Sequence, residues 1–346
     1  MAFDSEKYDS TARRQFLGGI AALGAAAMLP GELFAAPKPK PFRIDVHHHL
    51  IPPGYLDAVG AQRQGGGGIK WSPELSVEDM DRNGIAKSVI SLVQPAVSFG
   101  DAEKARKLAR QSNEFAVQIA RDHPGRFGSF ATIPLLDTDG ALKEIEYALD
   151  TLKANGIGLM TSYQDKYLGD ASFAPVYEEL NRRKAVVYTH PLTPDCCRNT
   201  VKGLPPGVVE YATDTTRTIA SLVFSGTAAR YPDIRWIFSH SGGTMPFLLS
   251  RFEREEATRK EREQRLPHGF MHELKKFHYD TAQGNHRGAL GALTRIAAPS
   301  HILFGTDFPF RPGAEEVHGL AAYFKAKDLR EIERGNALKL IPTLKA

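Results

Sequence analysis

Cysteine is almost missing from this chain: 2 of 346 residues, adjacent at Cys196 and Cys197. Two thiols cannot build the disulfide framework of a small secreted scaffold. Neighbouring Cα atoms lie about 3.8 Å apart, below the roughly 4.4 Å at which disulfides usually begin. The pair is therefore expected as packed or loop thiols rather than a vicinal bridge. Long apolar runs are also missing. Past the N-terminal segment nothing approaches the roughly 18 apolar residues of a spanning helix, so no membrane insertion is expected of the remaining chain. Blocks of one charge are missing too. The densest basic run, residues 254–265, is interleaved with Glu255, Glu256, Glu261 and Glu263 and reads as a solvated helix face. Nucleic acid is not an expected partner. The glycine run at 65–68 lacks the Lys-Ser/Thr of a phosphate loop and reads as a flexible connection.

What is present fits an ordinary globular protein, with 42% hydrophobic and 24% charged residues. The length admits two domains or one α/β barrel. At the N-terminus, Arg13 and Arg14 precede a short Gly/Ala-rich apolar run that ends in Phe34-Ala35-Ala36. A charged head, an apolar stretch too short to span and small residues at a cut point make residues 1–36 an expected signal peptide. The paired arginines resemble the twin-arginine export signal, which implies the export machinery as a partner and a periplasmic or exported destination. The leader holds three basic and four acidic residues, so its removal takes the formal charge from +4 to +5. This balance tolerates an anionic substrate without requiring one.

From residue 42 onward, short β-branched or aromatic runs alternate with segments of helical period. Strands are expected at 42–49, 87–93, 127–133, 157–162, 185–190, 234–240, 276–281 and 301–305. Helices are expected at 101–123, 137–155, 173–184, 214–231, 244–263, 286–298 and 315–325. The alternation predicts one (β/α)8 TIM barrel over residues 37–346, with a doubly wound open sheet as the alternative, because periodicity cannot see closure.

Histidines gather at the ends of these strands. His47 and His49 project to one face of strand one and His48 to the other. His190 ends strand five, His240 ends strand six, and Asp307 follows strand eight. Barrel active sites lie at that rim, and imidazole nitrogens with a carboxylate suit a divalent ion. Three satisfied or surface histidines would explain the first cluster alone, but scattered core histidines rarely converge on one rim.

The set Asp45-x-His47-x-His49, His190, His240 in Ser-His-Ser-Gly-Gly and Asp307 in Gly-Thr-Asp-Phe-Pro resembles the amidohydrolase superfamily. More narrowly it is similar to the aminocarboxymuconate semialdehyde decarboxylase branch, which includes 6-methylsalicylate and other hydroxybenzoate decarboxylases. The resemblance implies His47, His49, His190 and Asp307 as metal ligands and His240 as a catalytic histidine beside them. Strand four lacks the lysine of binuclear members, which implies one ion, zinc first and manganese as the alternative. Asp307, or His240 with the water completing the shell, is the expected proton source. Arg251 is implied as an anchor for a substrate carboxylate in a neighbouring subunit's site, and hence a homodimer. Phe99, Trp71 and Phe308 are candidate walls for an aromatic ring. The expected activity is non-oxidative decarboxylation of a small aromatic or dienoic acid. A metal-dependent hydrolase of a lactone, amide or ester is the alternative, and a non-catalytic metal protein the remaining class.

Overall fold

A computed structural model describes residues 40–60, 69–164, 166–198 and 200–345. The expected signal peptide and the glycines at 65–68 lie outside the described residues. Eight parallel strands follow one another around a single sheet: β1 (Arg43–Leu50), β2 (Ile85–Leu92), β3 (Phe127–Thr132), β4 (Gly156–Met160), β5 (Val186–His190), β6 (Arg235–Phe238), β7 (His278–Asp280) and β8 (Ile302–Leu303). The strands are buried along nearly their whole length, as expected when helices cover one face and a barrel interior the other. The barrel closes between the first and last strands. Val46 N donates to Phe304 O at 3.0 Å, Asp307 N to His47 O at 2.8 Å and His49 N to Phe308 O at 2.8 Å. Closure decides against the open sheet.

Asp45 is the clasp of this seam. Its Oδ1 accepts from His47 N and Thr306 N, each at 3.0 Å, and its Oδ2 from Thr306 Oγ1 at 2.7 Å. The His48 ring completes the set, with Nδ1 3.0 Å from Asp45 Oδ2 and Nε2 3.0 Å from Ser76 Oγ. His48 thus points into the wall, away from His47 and His49, as the alternation of side chains along β1 demands. Below the rim the interior is filled by Ile44, Val46, Val89, Val186, Ile237 and Leu303, with Phe130 stacked on Tyr188 at 5.1 Å.

The outer ring runs α1 (Pro73–Arg82), α2 (Ala102–Asp122), α3 (Thr138–Glu146), α4 (Ala174–Arg182), α5 (Gly207–Phe224), α6 (Leu249–Thr258), α7 (Phe270–Lys276), α8 (Arg287–Leu293) and α9 (Gly313–Ala321). Asp101 and Asp137 cap α2 and α3 where the helical period predicted their starts. Several boundaries differ from expectation. Helix α1 was not anticipated, although Ser72 caps it and Pro73 opens it. Helix α5 begins at residue 207 rather than 214, because its buried face is made of Thr, Asp and Glu side chains that hide the apolar period. The helix expected at 244–263 is broken into a 3-10 turn at Met245–Leu248, then α6, then Arg262–Arg265. Helix α7 occupies sequence that was left unassigned, and β7 begins at His278. Cys196 and Cys197 are joined as a vicinal disulfide on the 3-10 turn Asp195–Cys197, not left as two thiols. That tight turn brings the neighbouring side chains together despite their short Cα spacing.

Replacing Asp45 leaves two backbone N–H groups and two side chains without their acceptor in a fully buried seam. Asp45→Ala is expected to lower unfolding free energy by about 3 kcal/mol or more in urea titrations.

Candidate metal centre

His47 and His49 lie two residues apart on β1, and their rings enter the barrel mouth. His190 is the last residue of β5, and Asp307 follows β8. The four side chains are 0–3% exposed, and one ligand atom of each lies within 4.8 Å of those of the others. Asp307 Oδ1 stands 2.8 Å from His49 Nε2 and 3.2 Å from His47 Nε2.

Hydrogen bonds behind the rings set which nitrogen faces inward. His47 Nδ1 lies 2.9 Å from Asp280 Oδ2, at the end of β7. His190 Nδ1 lies 2.8 Å from its acceptor Pro191 O, and His240 Nδ1 lies 3.0 Å from Ala282 O. When each Nδ1–H donates outward, each Nε2 presents a lone pair to the centre. His47 Nε2 and His240 Nε2 are buried and find no hydrogen-bond partner among the described residues, while His49 turns its Nε2 to Asp307. Orphaned imidazole nitrogens around a buried carboxylate fit a divalent cation, the partner their geometry lacks within the chain.

The electrostatics agree. Burial lowers the His47 pKa, but Asp280 and Asp307 outweigh it and raise it to about 10, so this spot favours positive charge. Burial, then the neighbouring imidazoles, holds His190 well below its ordinary value. Asp307 is pushed up by burial, yet His47 and His49 hold it well below the usual carboxylate range. A neutral imidazole and an ionised carboxylate are the forms that ligate. His240 and Asp307 both adopt left-handed backbone, with φ of 52° and 65°. Such conformations persist in non-glycine residues only when the surroundings enforce them.

A cavity of about 280 Å³ opens beside His240. Ser241, Gln283 and His286 are on its wall, as are the apolar Val208, Ala212 and Phe247. Gln283 Nε2 donates to Asp307 Oδ2. A second cavity, of about 200 Å³, is lined by residues that include Pro95, Phe99, Leu192 and Arg198.

An amidohydrolase family profile matches residues 44–343. The chain belongs to the amidohydrolase family. It is 37% identical to the decarboxylase macB of Penicillium terrestre, over 87% of this chain and 95% of that one. It is 35% identical to the 6-methylsalicylic acid decarboxylase of Penicillium expansum, over 88% and 97%. Among solved structures, the manganese-bound dihydroxybenzoic acid decarboxylase of Polaromonas has the same fold. It gives a TM-score of 0.76 at 21% identity, covering 88% of this chain and 98% of that one.

Within this amidohydrolase the structure gathers His47, His49, His190, Asp307 and His240. Arg251 lies elsewhere, exposed on α6, without a hydrogen bond or ion pair among the described residues. Phe99 borders the second cavity, whereas Trp71 packs edge-on against Phe115 and Phe308 stacks on His48 at 4.9 Å. His278 does not reach the rim. It sits at the opposite end of β7 beside His301, with ring centroids 4.7 Å apart, where burial lowers its pKa to about 3. Asp280, two residues along, is the rim residue. The strand-end carboxylate signal that found Asp307 would have found it too. Gln283 carried no such signal.

His190→Ala is expected to abolish stoichiometric metal in purified protein, measured by plasma mass spectrometry. His240→Ala should keep the metal and lose at least a hundredfold in turnover. Loss of metal from the second variant would make His240 a ligand.

Proposed function

We propose that this amidohydrolase is a metal-dependent, non-oxidative decarboxylase of a hydroxybenzoate-like acid of the 6-methylsalicylate kind. The observation that carries the reading is His240, its Nε2 unpaired beside the buried ligand cluster and its ring on the cavity wall, in a chain 35–37% identical to decarboxylases over nearly all its length.

Three imidazoles and one carboxylate suit zinc, the first choice. Manganese is the alternative, supported by its presence in the Polaromonas structure. A divalent ion there supplies Lewis acidity toward the oxygens of a bound acid. The chain's own residues do the rest. Apolar Val208, Ala212 and Phe247 take the aryl ring out of water. His240, its Nδ1–H tied to Ala282 O and its Nε2 free to take up a proton from solvent, or Asp307, its Oδ2 held by Gln283, once the incoming acid has protonated it, passes that proton to the ring carbon bearing the carboxylate. The bond to the carboxylate then breaks, its electron pair restores the aromatic ring, and CO2 leaves. Solvent returns the proton to the donor.

Arg251, exposed on α6 and unpaired among the described residues, is free to anchor a carboxylate in the site of a second copy, which would make the protein a homodimer. The N-terminal Arg13-Arg14 and the apolar run behind them support twin-arginine export to the periplasm.

Metal-loaded protein incubated with a panel of hydroxybenzoates is expected to release CO2 from at least one, with 6-methylsalicylate first. Turnover of simple lactones with no CO2 from any acid would replace this reading with a hydrolase. For the dimer, mixing Arg251→Ala with His240→Ala protein should restore part of the activity that each lacks alone. No recovery on mixing would return Arg251 to the surface.

A further inference from the structure

Gln94 and Tyr211 form a polar pair at the same rim that none of the chemistry above uses. Gln94 follows β2 in a turn held from two directions: Tyr55 OH donates to Val93 O at 3.0 Å and to Ala96 O at 2.8 Å. Tyr211 lies on the first turns of α5. A Cβ at Gly207 would come 3.1 Å from its ring, so the phenol is packed beneath the helix start. Its ring stands edge-on to His190 with centroids 6.2 Å apart. Residues next to the pair line both mouth cavities: Pro95 the smaller one, Ala212 the larger.

Gln94 Nε2 donates to Tyr211 OH at 3.1 Å. Gln94 is 3% exposed, and its Oε1 has no partner. Tyr211's own hydrogen goes to no acceptor among the described residues. A phenol, with an ordinary pKa of about 10, keeps that hydrogen at neutral pH. The pair therefore presents an unused acceptor, Gln94 Oε1, and two unused donors, the Tyr211 O–H and the second N–H of Gln94, beside a metal ligand. Exchanging the oxygen and nitrogen of the amide changes which residue supplies which, but still leaves both an acceptor and a donor unused. A buried acceptor without a donor costs about 1–3 kcal/mol, and a ligand that supplies the donor recovers it. A carboxylate has only acceptors and would face Gln94 Oε1 unfavourably. A hydroxyl both donates and accepts, and satisfies the two groups at once.

We propose that Gln94 and Tyr211 read a hydroxyl group of the substrate, which donates to the amide oxygen of Gln94 and accepts from the phenol of Tyr211. The inference rests on the decarboxylase reading for the identity of the ligand as a hydroxylated aryl acid. It makes the pair a specificity determinant: sites that pair with a hydroxyl reject analogues lacking it, because their own polar groups are then left stranded.

Two probes that cannot lose CO2 test it on the metal-loaded protein by titration calorimetry. One is 3-methyl-2-nitrophenol, and the other is 1,3-dimethyl-2-nitrobenzene, which lacks the hydroxyl. Tyr211→Phe and Gln94→Leu should each weaken the nitrophenol about tenfold and leave the dimethyl probe within twofold. In the double variant the losses should add to less than their sum, since each single change strands the same pair. Equal affinities in all proteins overturn the proposal. Parallel weakening of both probes makes the pair structural, and binding of neither probe by the native protein also overturns it. CO2 release is followed on the same samples. Selective nitrophenol binding without CO2 from any acid removes the decarboxylase reading and leaves the hydroxyl pair standing. CO2 release with unselective variants does the reverse.

Discussion

The carboxylate of Asp45 is the point on which the site depends. A barrel must join its first strand to its last. Here the two edges carry the chemistry: His47 and His49 on β1, Asp307 just past β8. Each strand alone positions its own ligands to within the freedom of a rim loop. Asp45 removes that freedom by accepting from His47 N on its own strand and from Thr306 on the other. Bonds from Asp307 N to His47 O and from His49 N to Phe308 O continue the same seam upward into the ligand set. Fold closure and ligand convergence are one event, so a defect in the seam reaches the metal centre without touching a ligand.

Once the seam is set, the imidazoles still need the right nitrogen facing in. Their outward bonds are of two kinds. His190 and His240 lean on backbone carbonyls, which fix the ring but add no charge. His47 leans on Asp280, whose carboxylate also makes that imidazole a better donor toward a cation. Asp280 reaches further, since its Oδ1 accepts from His240 N and from Ala282 N. One carboxylate therefore orients a ligand on β1, holds the strained backbone at His240, and fixes the turn whose carbonyl receives His240 Nδ1–H. His47 and His240 cannot drift independently.

Much of this was legible because strands and barrel rims obey short-range rules. The period of two along β1 separates His47 and His49 from His48, and the structure sends His48 to Ser76 as that period requires, while its bond to Asp45 depends on the register shift of β1 between Asp45 and His48. The eight strands were found because each is a short apolar run between polar connections. Helix α5 was misplaced at its start because its first turns bury Glu210 and expose Val208 and Val209, the reverse of an apolar period. Asp280 was passed over because it carries no histidine beside it at the end of its strand and only the folded structure shows its bond to His47. The Gln94–Tyr211 bond joins residues 117 apart in sequence and involves neither a charge nor a ligand type. No local pattern announces such a pair.

In the proposed function, chemistry and selection draw on different parts of the same mouth. The ligand cluster, Asp45 and Asp280 belong to strands or strand ends and are sealed from solvent, which suits groups whose positions must not vary. Val208, Phe247 and Gln283 lie on loops and helix starts around the cavity, and Phe247 is 87% exposed. Exposed groups of this kind can change without disturbing the seam. Gln94 and Tyr211 are intermediate: Gln94 is buried and Tyr211 half-buried, and one is braced by Tyr55 and the other by Gly207. Bracing of that strength is not needed to fill space. It is needed where a donor and an acceptor must stay in register with a bound oxygen, because a misplacement of about 1 Å forfeits most of a hydrogen bond's directionality.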